Sequence, residues 1–284
     1  MPILLIHGGA GRVTNPKRRQ SMALALSDTL AKVWPTLISA GSRAATVHAV
    51  QLLEDNPLFN AGIGSKLQED GEARLSAALM DGARNKFSGV VNVTSIQNPI
   101  LLARQLLEEK DRVLSGEGAL RRARELGLTE TDVRTPFARR AWKEAIAGET
   151  GTVGAVAVDS AGHLSAATST GGRGMERVGR VSDSCTVAGN YADSLGAVSC
   201  TGVGEDIVDG AIATRLVLGL SHDKTLQELS EECLALMHKK GWRAGYIGVD
   251  HNENWVADRT TDSLYWAIRH GEIEDGFWKE PKSE

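Results

Sequence analysis

The chain of 284 residues has little of what marks several protein classes. Its three cysteines, Cys185, Cys200 and Cys233, cannot all pair and form no CxxC motif, which excludes a disulfide scaffold and favours reduced thiols. The formal net charge of −4 gives no electrostatic basis for binding nucleic acid or a membrane surface. No apolar run reaches the roughly 18 to 20 residues of a membrane helix, and the first residues lack the basic region of a signal peptide. We therefore expect a cytoplasmic protein with no nucleic-acid partner and no membrane partner.

What is present is typical of a globular enzyme-sized chain. Hydrophobic residues make up 42% and charged residues 24%, so the chain can bury a full core. Gly41 is expected to end a first helix that Asn15-Pro16 begins, and Ser42 to cap the next one. Apolar patterns predict strands at residues 3–6, 73–80, 87–93, 153–158, 164–169, 195–200, 246–250 and 255–258, and further helices at about 100–114, 117–126, 137–147, 207–220 and 225–240. Sheets layered with helices are the expected architecture, with residues 127–150 as a linker.

Thr152 begins the predicted strand GTVGAVAVD and is the leading candidate for a nucleophile. A threonine hydroxyl needs an adjacent base. If the chain were cut after Gly151, the α-amine of Thr152 would be that base, because its unperturbed pKa of about 7.7–8.0 leaves part of it neutral near pH 7. The alternative interpretation of Thr152 is simply a β-branched residue at the start of a strand.

Three polar groups downstream support the nucleophile. Thr170 ends the strand that pairs with the one Thr152 begins, so the two hydroxyls are expected side by side. Arg180 offers a bidentate fork for a carboxylate and Asp183 can pair with an ammonium; together they match the two charged ends of an α-amino acid, although a solvated surface pair is equally compatible. Thr201-Gly202 follows a buried strand and provides a hydroxyl and an N–H for an oxyanion.

In combination these motifs resemble the plant-type L-asparaginase and isoaspartyl peptidase family, which are N-terminal-nucleophile hydrolases. The resemblance covers nearly the whole chain. It rests on His7-Gly8-Gly9-Ala10-Gly11, Phe59-Asn60-Ala61-Gly62-Ile63-Gly64, Met80-Asp81-Gly82, Gly151-Thr152-Val153-Gly154, Thr168-Ser169-Thr170-Gly171-Gly172, Gly179-Arg180-Val181 and Ser199-Cys200-Thr201-Gly202.

The resemblance implies an α+β fold, a four-layer αββα sandwich, in one domain of residues 1–284. It implies a precursor that cuts itself between Gly151 and Thr152 into an α chain, 1–151, and a β chain, 152–284. The implied site residues are Thr152 as nucleophile, Thr170 and Thr201 assisting it, Thr201 with Gly202 as oxyanion hole, Asn60 beside the nucleophile, Arg180 for the substrate carboxylate, and Asp183 with the Gly204 carbonyl for its amine. The implied reaction is hydrolysis of the β-amide of L-asparagine or of isoaspartyl dipeptides to release L-aspartate.

The resemblance also implies that catalysis needs no cofactor and that two αβ units form a homodimer. It further implies a structural sodium ion held by backbone carbonyls, a site for which hard oxygen ligands are suited. The implied carbonyls belong to Leu53, Glu54, Asn56, Phe59, Ala61 and Ile63; a self-packed turn is the alternative. His7 is expected to line the site without acting as a base.

Three single residues and one run of four depart from the family pattern: Ser76, Ser182, Tyr246 and Arg259-Thr260-Thr261-Asp262. We expect them to bear on substrate preference and on the efficiency of cleavage. Two other functions remain open. One is a glycosylasparaginase, disfavoured because Gly151 stands where that relative has aspartate; the same difference disfavours a protein-cutting threonine aspartase. The other is an uncleaved relative that binds amino acids without hydrolysing them.

Overall fold

The computed structural model of the chain describes residues 1–144, 151–222 and 224–277. It is a mixed structure of helices and two β-sheets, with eight and four strands. None of the helices in these ranges is long and apolar enough to cross a membrane. The three cysteines are all buried and unpaired.

The larger sheet is mainly antiparallel. Its neighbouring strands β1 and β5 are the first strands of the first and second halves of the chain. Its strands are β1 (Ile3–Ala10), β2 (Leu75–Asp81), β3 (Lys86–Val93), β4 (Val113–Ser115), β5 (Val153–Val158), β6 (Leu164–Thr170), β11 (Leu264–His270) and β12 (Ile273–Gly276). They are ordered β12-β11-β1-β5-β6-β2-β3-β4. Because β1 pairs with β5 and β11, the first strand of the chain is fixed between two segments of the second half.

The smaller sheet is formed entirely by the second half of the chain. Its strands are β7 (Asn190–Ala192), β8 (Gly196–Gly202), β9 (Ala244–Asp250) and β10 (Trp255–Arg259), in the order β10-β9-β8-β7. The predicted hairpin at 246–258 is confirmed, and its turn is held by the Asp250 carboxylate, which accepts hydrogen bonds from the N–H groups of Asn252 and Asn254, both at 2.9 Å.

The described ranges contain seven α-helices. They are α1 (Pro16–Glu54), α2 (Pro99–Leu106), α3 (Gly116–Glu125), α4 (Pro136–Lys143), α5 (Gly204–Gly210), α6 (Ile212–Gly219) and α7 (Leu226–Lys240). Helices α1, α2 and α3 contact the larger sheet, whereas α5, α6 and α7 contact the smaller one.

Alternation along β1 shows how the layers are built. Leu4 and Ile6 belong to an apolar cluster shared with helix α1. Ile3 and Leu5 belong to a different cluster, which includes Ile247 of the smaller sheet. Successive side chains of a strand point to opposite faces, so α1 covers one face of the larger sheet and the smaller sheet covers the other.

The predicted break at Gly41 is confirmed, but the cap is a different residue from the expected one. Gly41 has a φ of 83° and interrupts α1. The Ser42 N–H that opens the second part donates to the carboxylate of Asp159 at 3.0 Å, so a residue of the β5–β6 hairpin caps the helix. The same carboxylate accepts from Ala161 and His163 in the hairpin turn, each at 3.0 Å.

Other boundaries differ from the predicted ones for local reasons. The helix predicted at 100–114 ends at Leu106, and β4 occupies the end of that range. The helix predicted at 207–220 is two helices, because Ala211 adopts left-handed angles, φ 46° and ψ 44°. Strands β4, β7, β11 and β12 were not predicted; β4 and β7 have three residues each, too few to show a periodicity.

The region predicted as a linker packs on the body of the molecule along its first part. The Thr131 N–H donates to the Ser95 carbonyl at 2.9 Å, and Val133 is buried in the main apolar cluster. The weak helix predicted at 137–147 corresponds to α4, while residues 145–150 lie outside the described part of the chain.

Candidate active site

Thr152 and Thr170 lie side by side, as the hairpin predicted. Val153 pairs with Ser169 in the β5–β6 register, which places the preceding and following residues next to each other. The Thr152 hydroxyl donates to Thr170 Oγ1 at 3.2 Å, and the Gly172 N–H donates to the same oxygen at 3.1 Å. Both side chains are buried. The hydrogen bond to Thr170 and the surrounding buried side chains therefore fix the position of the Thr152 oxygen.

The Gly151–Thr152 bond is enclosed by two backbone segments from the first half of the chain. The Asn60 N–H donates to the Gly151 carbonyl at 3.2 Å. On the other side lies Gly9, with a φ of +111°; a β-carbon there would come within 2.7 Å of the Gly151 Cα. The side chain of Asn60 is itself fixed, because its Nδ2 donates to the Gly172 carbonyl at 2.5 Å and its Oδ1 accepts from Lys66 N at 2.9 Å.

Thr201 lies at the end of β8, on the sheet facing the nucleophile. Its Oγ1 accepts the Ala10 N–H at 3.1 Å, which leaves its hydroxyl hydrogen to be donated elsewhere. The next residue, Gly202, has a φ of +136°, and a β-carbon there would come within 2.6 Å of the Ala244 Cα. Only glycine fits this position without displacing the neighbouring strand.

Arg180, Asp183 and Gly204 meet at one point. A β-carbon at Gly204 would come within 2.5 Å of Arg180 Nη2 and 2.7 Å of Asp183 Oδ1. The guanidinium of Arg180 and the carboxylate of Asp183 therefore lie on either side of the backbone of Gly204, which has no side chain. This arrangement can bind a carboxylate and an ammonium carried on one carbon.

Burial controls the charge of Asp183. It raises the pKa of that carboxyl to about 6, while the hydrogen bond from Ser182 and the charge of Arg180 lower it. Oδ1 accepts from Ser182 Oγ at 3.1 Å, whereas Oδ2 is buried without a hydrogen-bond partner in the described ranges. A buried acceptor without a donor is costly, and an ammonium ligand would satisfy it.

Glu205 is a component of this cluster for which sequence reasoning gave no role. Its carboxylate accepts hydrogen bonds from Arg180 Nε at 2.9 Å and from Arg180 Nη2 at 3.1 Å. The pairing lowers the pKa of Glu205. The only available signal was its position directly after Gly204 at the start of a helix, where acidic residues are common in any protein.

A second buried polar group lies one row beneath the nucleophile between the two sheets. The sequence predicted that His7 lines the site, but it did not predict the hydrogen bonds of this group. Ser199 Oγ is 2.9 Å from His7 Nε2 and 2.7 Å from Thr168 Oγ1, and Thr168 donates to Asn190 Oδ1 at 2.8 Å. Burial lowers the pKa of His7 to about 3, against an opposing effect of the Thr152 backbone. His7 is thus neutral and too weak a base to activate a hydroxyl near pH 7.

The departures from the family pattern have structural roles. Ser182 Oγ accepts from Ser184 N at 3.2 Å as well as donating to Asp183 Oδ1, so it holds the carboxylate of Asp183. Ser76 pairs with Thr170 in the sheet, and its Oγ accepts from Asn92 N at 3.1 Å.

The other two departures are held by local hydrogen bonds at the smaller sheet. Tyr246 is fully buried and its hydroxyl lies 2.8 Å from Ser230 Oγ. Thr260 Oγ1 donates to the Trp242 carbonyl at 2.6 Å and accepts from Ala244 N at 3.1 Å, which closes the end of β9.

The loop with the expected sodium ligands is tightly wound. Gly62 lies against the Glu54 carbonyl and Gly64 against that of Phe59, so closely that a side chain at either glycine would collide with the oxygen. Three other carbonyls of the set, those of Leu53, Asn56 and Ala61, accept N–H groups of the loop at 3.1–3.3 Å. No cluster of three or more His, Cys, Asp or Glu residues that could hold a metal occurs in ranges 1–144, 151–222 and 224–277.

The chain is similar to known proteins along nearly its whole length. The sequence pattern of the family described as asparaginase matches residues 1–150 and 135–276. An isoaspartyl peptidase/L-asparaginase from Nostoc sp. is 41% identical over 294 residues, covering 95% of this chain and 92% of that protein. Proteins with the same name from Synechocystis sp. and Danio rerio are 39% and 37% identical, covering 95% and 98% of this chain and 88% and 96% of theirs. The chain belongs to the isoaspartyl peptidase/L-asparaginase family.

Proposed function

We propose that this chain is a β-aspartyl amidohydrolase that first cuts itself between Gly151 and Thr152. It then releases L-aspartate from L-asparagine and isoaspartyl dipeptides. The main support for the proposal is the buried Thr152 hydroxyl, which donates a hydrogen bond to Thr170 Oγ1 at 3.2 Å. The preceding Gly151 carbonyl accepts a hydrogen bond from the Asn60 N–H. The relatives' name, isoaspartyl peptidase/L-asparaginase, agrees with this reaction.

In maturation, Thr152 Oγ attacks the carbonyl carbon of Gly151, the C–N bond breaks, and the hydroxyl proton is transferred to the departing Thr152 nitrogen. An ester then joins Gly151 to the threonine oxygen, and water hydrolyses it to a Gly151 carboxylate and a free Thr152 amine. The Asn60 N–H supports the developing negative charge on the carbonyl oxygen, since a donor already in place needs no reorganisation. The absence of a side chain at Gly9 keeps the bond accessible to rearrangement.

In turnover, the α-amine of Thr152 takes the hydroxyl proton and the oxygen attacks the side-chain carbonyl of the substrate. The hydroxyl of Thr201 and the N–H of Gly202 stabilise the oxyanion. The amine returns the proton to the leaving nitrogen, which departs as ammonia or as the amine of an amino acid. Water then hydrolyses the aspartyl ester. Thr170 orients the nucleophile, because its oxygen is the acceptor for the Thr152 hydroxyl.

The substrate's α-carboxylate binds to Arg180, and its α-ammonium to Asp183 and the carbonyl of Gly204. The support is the closeness of Arg180 and Asp183 to Gly204 and the unpaired buried Oδ2 of Asp183. Both substrate classes present the same charged end, so this group of residues does not separate them.

We propose three further features on the basis of the resemblance to the family: the layer arrangement, a structural sodium ion and a homodimer. A four-layer αββα sandwich in one domain is supported by the α1 contacts on one face of the larger sheet and the smaller sheet on the other. A structural sodium in the 53–63 loop is supported by the close carbonyls of Glu54 and Phe59 around Gly62 and Gly64. For the homodimer of αβ units the support is the resemblance alone, and sedimentation of the mature protein tests it.

A denaturing gel with mass spectrometry tests the proposal. The wild type should give fragments of 151 and 133 residues, which together make up the 284 of the chain, with Thr152 at the new N-terminus. Thr152→Ala should stay intact and inactive, and Thr152→Ser should retain slow cleavage. Thr129→Ala, at an exposed threonine, is the matched control and should behave as wild type.

Substrate assays on the same sample separate the alternatives. Aspartate release from asparagine or a β-aspartyl dipeptide supports the proposal. Intact protein that binds aspartate without turnover would make the chain a binding protein. Release of aspartate only from a glycosylated asparagine would make it a glycosylasparaginase.

A further inference from the structure

A row of hydrogen-bonded side chains is buried between the two sheets, and each of its four members comes from a different strand. His7 of β1 and Thr168 of β6 belong to the larger sheet, whereas Ser199 of β8 and Asn190 of β7 belong to the smaller one. His7 Nε2 lies 2.9 Å from Ser199 Oγ, which lies 2.7 Å from Thr168 Oγ1. All four residues are fully buried. The row therefore joins the two sheets through their shared interior.

The direction of the hydrogen bonds in this row determines which nitrogen of His7 carries the proton. Asn190 Nδ2 donates to the Ala166 carbonyl at 3.4 Å, so its Oδ1 accepts the Thr168 hydroxyl hydrogen at 2.8 Å. Because a hydroxyl has one hydrogen, Thr168 Oγ1 accepts from Ser199, and Ser199 Oγ in turn accepts from His7. His7 therefore carries its proton on Nε2. Burial lowers the pKa of His7 to about 3, so Nδ1 is unprotonated near pH 7.

The row lies directly beneath the residues that we assign to the reaction. Side chains two residues apart on a strand point to the same face. Thr168 is two residues before Thr170 on β6, and Ser199 is two residues before Thr201 on β8. The partner of the nucleophile and the oxyanion residue therefore each have a member of the row as the next side chain on the same face of their strand.

His7 and Ser199 meet over the strand that follows the nucleophile. His7 pairs with Gly154 in the β1–β5 register, and Gly154 is two residues after Thr152. A β-carbon at Gly154 would collide with both Ser199 Oγ and His7 Nε2. The hydrogen bond between these two side chains therefore crosses β5 at a position that only glycine leaves open.

Strand β1 contacts β8 at a second point, nearer to the oxyanion donors. The Ala10 N–H donates to Thr201 Oγ1 at 3.1 Å. The first contact is that of His7 with Ser199, and β1 also pairs with β5 at His7. The position of Thr201 relative to Thr152 therefore depends on β1, because β1 contacts both β8 and β5.

We propose that His7 is a positioning residue that acts through its Nε2–H hydrogen bond to Ser199. This bond holds β8 against β5 and thereby sets the distance from the Thr152 oxygen to the oxyanion donors of Thr201 and Gly202. The inference rests on the proposed function and adds a residue that acts on the reacting groups through β8. A displacement of about 1 Å from the productive geometry can lower a rate about 10²-fold, so loss of the bond should lower kcat.

The other two steps of the proposed function do not use this bond. The substrate's charged end binds to Arg180 and Asp183, which lie outside the row, so KM should change little. In self-cleavage the Asn60 N–H donates to the Gly151 carbonyl, so cleavage should still go to completion when β8 is displaced. A general loss of folding would instead affect cleavage, KM and kcat together.

The first test uses two substitutions of His7 that differ in reach. The imidazole Nε2 is three bonds from Cβ, as is the amide nitrogen of glutamine, whereas the amide nitrogen of asparagine is two bonds away. With L-asparagine as substrate, cleaved His7→Asn should have kcat about 10- to 100-fold below wild type and KM within about threefold. His7→Gln should keep kcat at least about fivefold above that of His7→Asn. His238→Asn, at an exposed histidine of α7, should stay within about 1.5-fold of wild type. A wild-type kcat in His7→Asn, or a loss confined to KM, would overturn the inference.

The second test removes the acceptor and stays informative if the His7 variants do not fold. Ser199→Ala should lower kcat about tenfold or more, with little change in KM. Ser165→Ala is the matched control, because Ser165 is also fully buried and its Oγ donates to the Met80 carbonyl at 2.9 Å, outside the row. Both variants should melt at a lower temperature than wild type, since each leaves a buried polar group unpaired. Only Ser199→Ala should lose kcat, and equal kcat values in the two variants would contradict the proposal.

NMR of the wild-type protein, labelled with ¹⁵N in histidine, tests the protonation without any substitution. Near pH 7 the proton of His7 should lie on Nε2, because the hydrogen bond at a ring nitrogen selects the tautomer. A proton on Nδ1 alone, or on both nitrogens, would reverse the direction of the row and overturn the inference.

Turnover by the wild type separates failure of the positioning role from failure of the proposed function. If cleaved wild type hydrolyses neither L-asparagine nor a β-aspartyl dipeptide, the proposed function fails. If it hydrolyses them and both His7→Asn and Ser199→Ala keep its kcat, the proposed function stands and the positioning role of His7 fails.

Discussion

Arg180 and Glu205 form a bidentate pair, with Nε 2.9 Å from Oε1 and Nη2 3.1 Å from Oε2. A guanidinium has five N–H donors, so this pairing uses one edge and leaves the edge formed by Nη1 and Nη2 for another carboxylate. Arg180 is mostly buried, with 15% of its side chain exposed, whereas Glu205 is 54% exposed. Glu205 thus fixes the plane of the arginine from the solvent side.

We expect Glu205→Gln to raise KM about three- to tenfold and to change kcat less. The amide keeps the shape of the side chain but loses the charge that orients the guanidinium, and charge-assisted hydrogen bonds are roughly twice as strong as neutral ones. Since Arg180 holds the end of the substrate that does not react, the loss should appear mainly in binding. Steady-state kinetics with asparagine measures both constants.

Asp209→Asn is the matched control, because Asp209 is an exposed acid on the same helix α5 and lies outside the Arg180 cluster. It should leave KM within experimental error of wild type. A lower KM in Glu205→Gln would contradict the positioning role and would mean that Glu205 competes with the substrate for Arg180.

The carboxyl of Asp183 should produce a visible break in the pH profile. Its pKa is raised from 3.8 to about 6, and only the ionised form pairs with the substrate ammonium. The log of kcat/KM against pH should therefore gain an additional unit of slope below about pH 6, beyond the effect of the Thr152 amine. Because the folded pKa exceeds the ordinary value, the contribution of Asp183 to folding stability is present below about pH 4 and is lost as pH rises through about 6.

Ser182→Ala tests the origin of that break. The Ser182 hydroxyl donates to Asp183 Oδ1 and lowers the pKa of the carboxyl, so its removal should move the break to higher pH. Ser221→Ala, in an exposed 3₁₀ helix, should leave the profile as in wild type. An identical break in Ser182→Ala would assign the titration to another group.

Much of the fold was predictable where the pattern is local. The β5–β6 hairpin was predicted from two strand segments that flank the turn residues 160–163, and its register places Thr170 beside Thr152. Strand β11, in contrast, pairs with β1 from the other end of the chain, with Ile3 opposite His270. The residues of β11 alone do not indicate that it pairs with a strand so distant in sequence. Strand β7 has three residues, too few to show an alternating pattern.

The same distinction applies to the site. The residue types of Arg180 and Asp183 predicted an amino acid ligand, and the structure brings both to Gly204. The pairing of Arg180 with Glu205 depends on how a loop and the start of a helix meet in space. The approach of Gly9 to Gly151 joins a residue of β1 to one that precedes β5. Contacts of this kind follow from tertiary packing, which a single sequence does not display.

Gly9→Ala should slow self-cleavage and destabilise the protein. The φ of +111° disfavours any side chain, and the added β-carbon would come within 2.7 Å of the Gly151 Cα. Gly162→Ala provides the control, because Gly162 also has a positive φ, +79°, but a β-carbon there meets nothing within 4 Å. Both variants should lose about 1 kcal/mol or more of stability from backbone strain. Only Gly9→Ala should delay the 151- and 133-residue fragments on a gel; equal cleavage rates would refute the steric role of Gly9.

Glu54 should make the stability of the folded protein decrease as pH rises, and the substitution Glu54→Gln should remove this dependence. It is fully buried, and its Oε1 accepts from Ser169 Oγ at 2.6 Å and from Ile100 N at 3.2 Å. Burial raises the pKa of this carboxyl well above its ordinary 4.5. The folded protein therefore retains a proton that the unfolded chain releases, so the stability contributed by Glu54 is full below about pH 4.5 and declines as pH rises above it.

Glu54→Gln carries no proton to lose and keeps an acceptor for Ser169. Its melting temperature relative to wild type should therefore increase steadily as the buffer is changed from pH 5 to pH 8. At pH 5 the variant should be the less stable protein, by about 1–3 kcal/mol, because its amide N–H₂ replaces an Oε2 that has no partner in the described ranges. Glu54→Ala is the comparison: it also loses the acceptor and leaves a cavity, so it should be destabilised at every pH. A constant difference between Glu54→Gln and wild type across this range would show that Glu54 does not change its proton occupancy on folding.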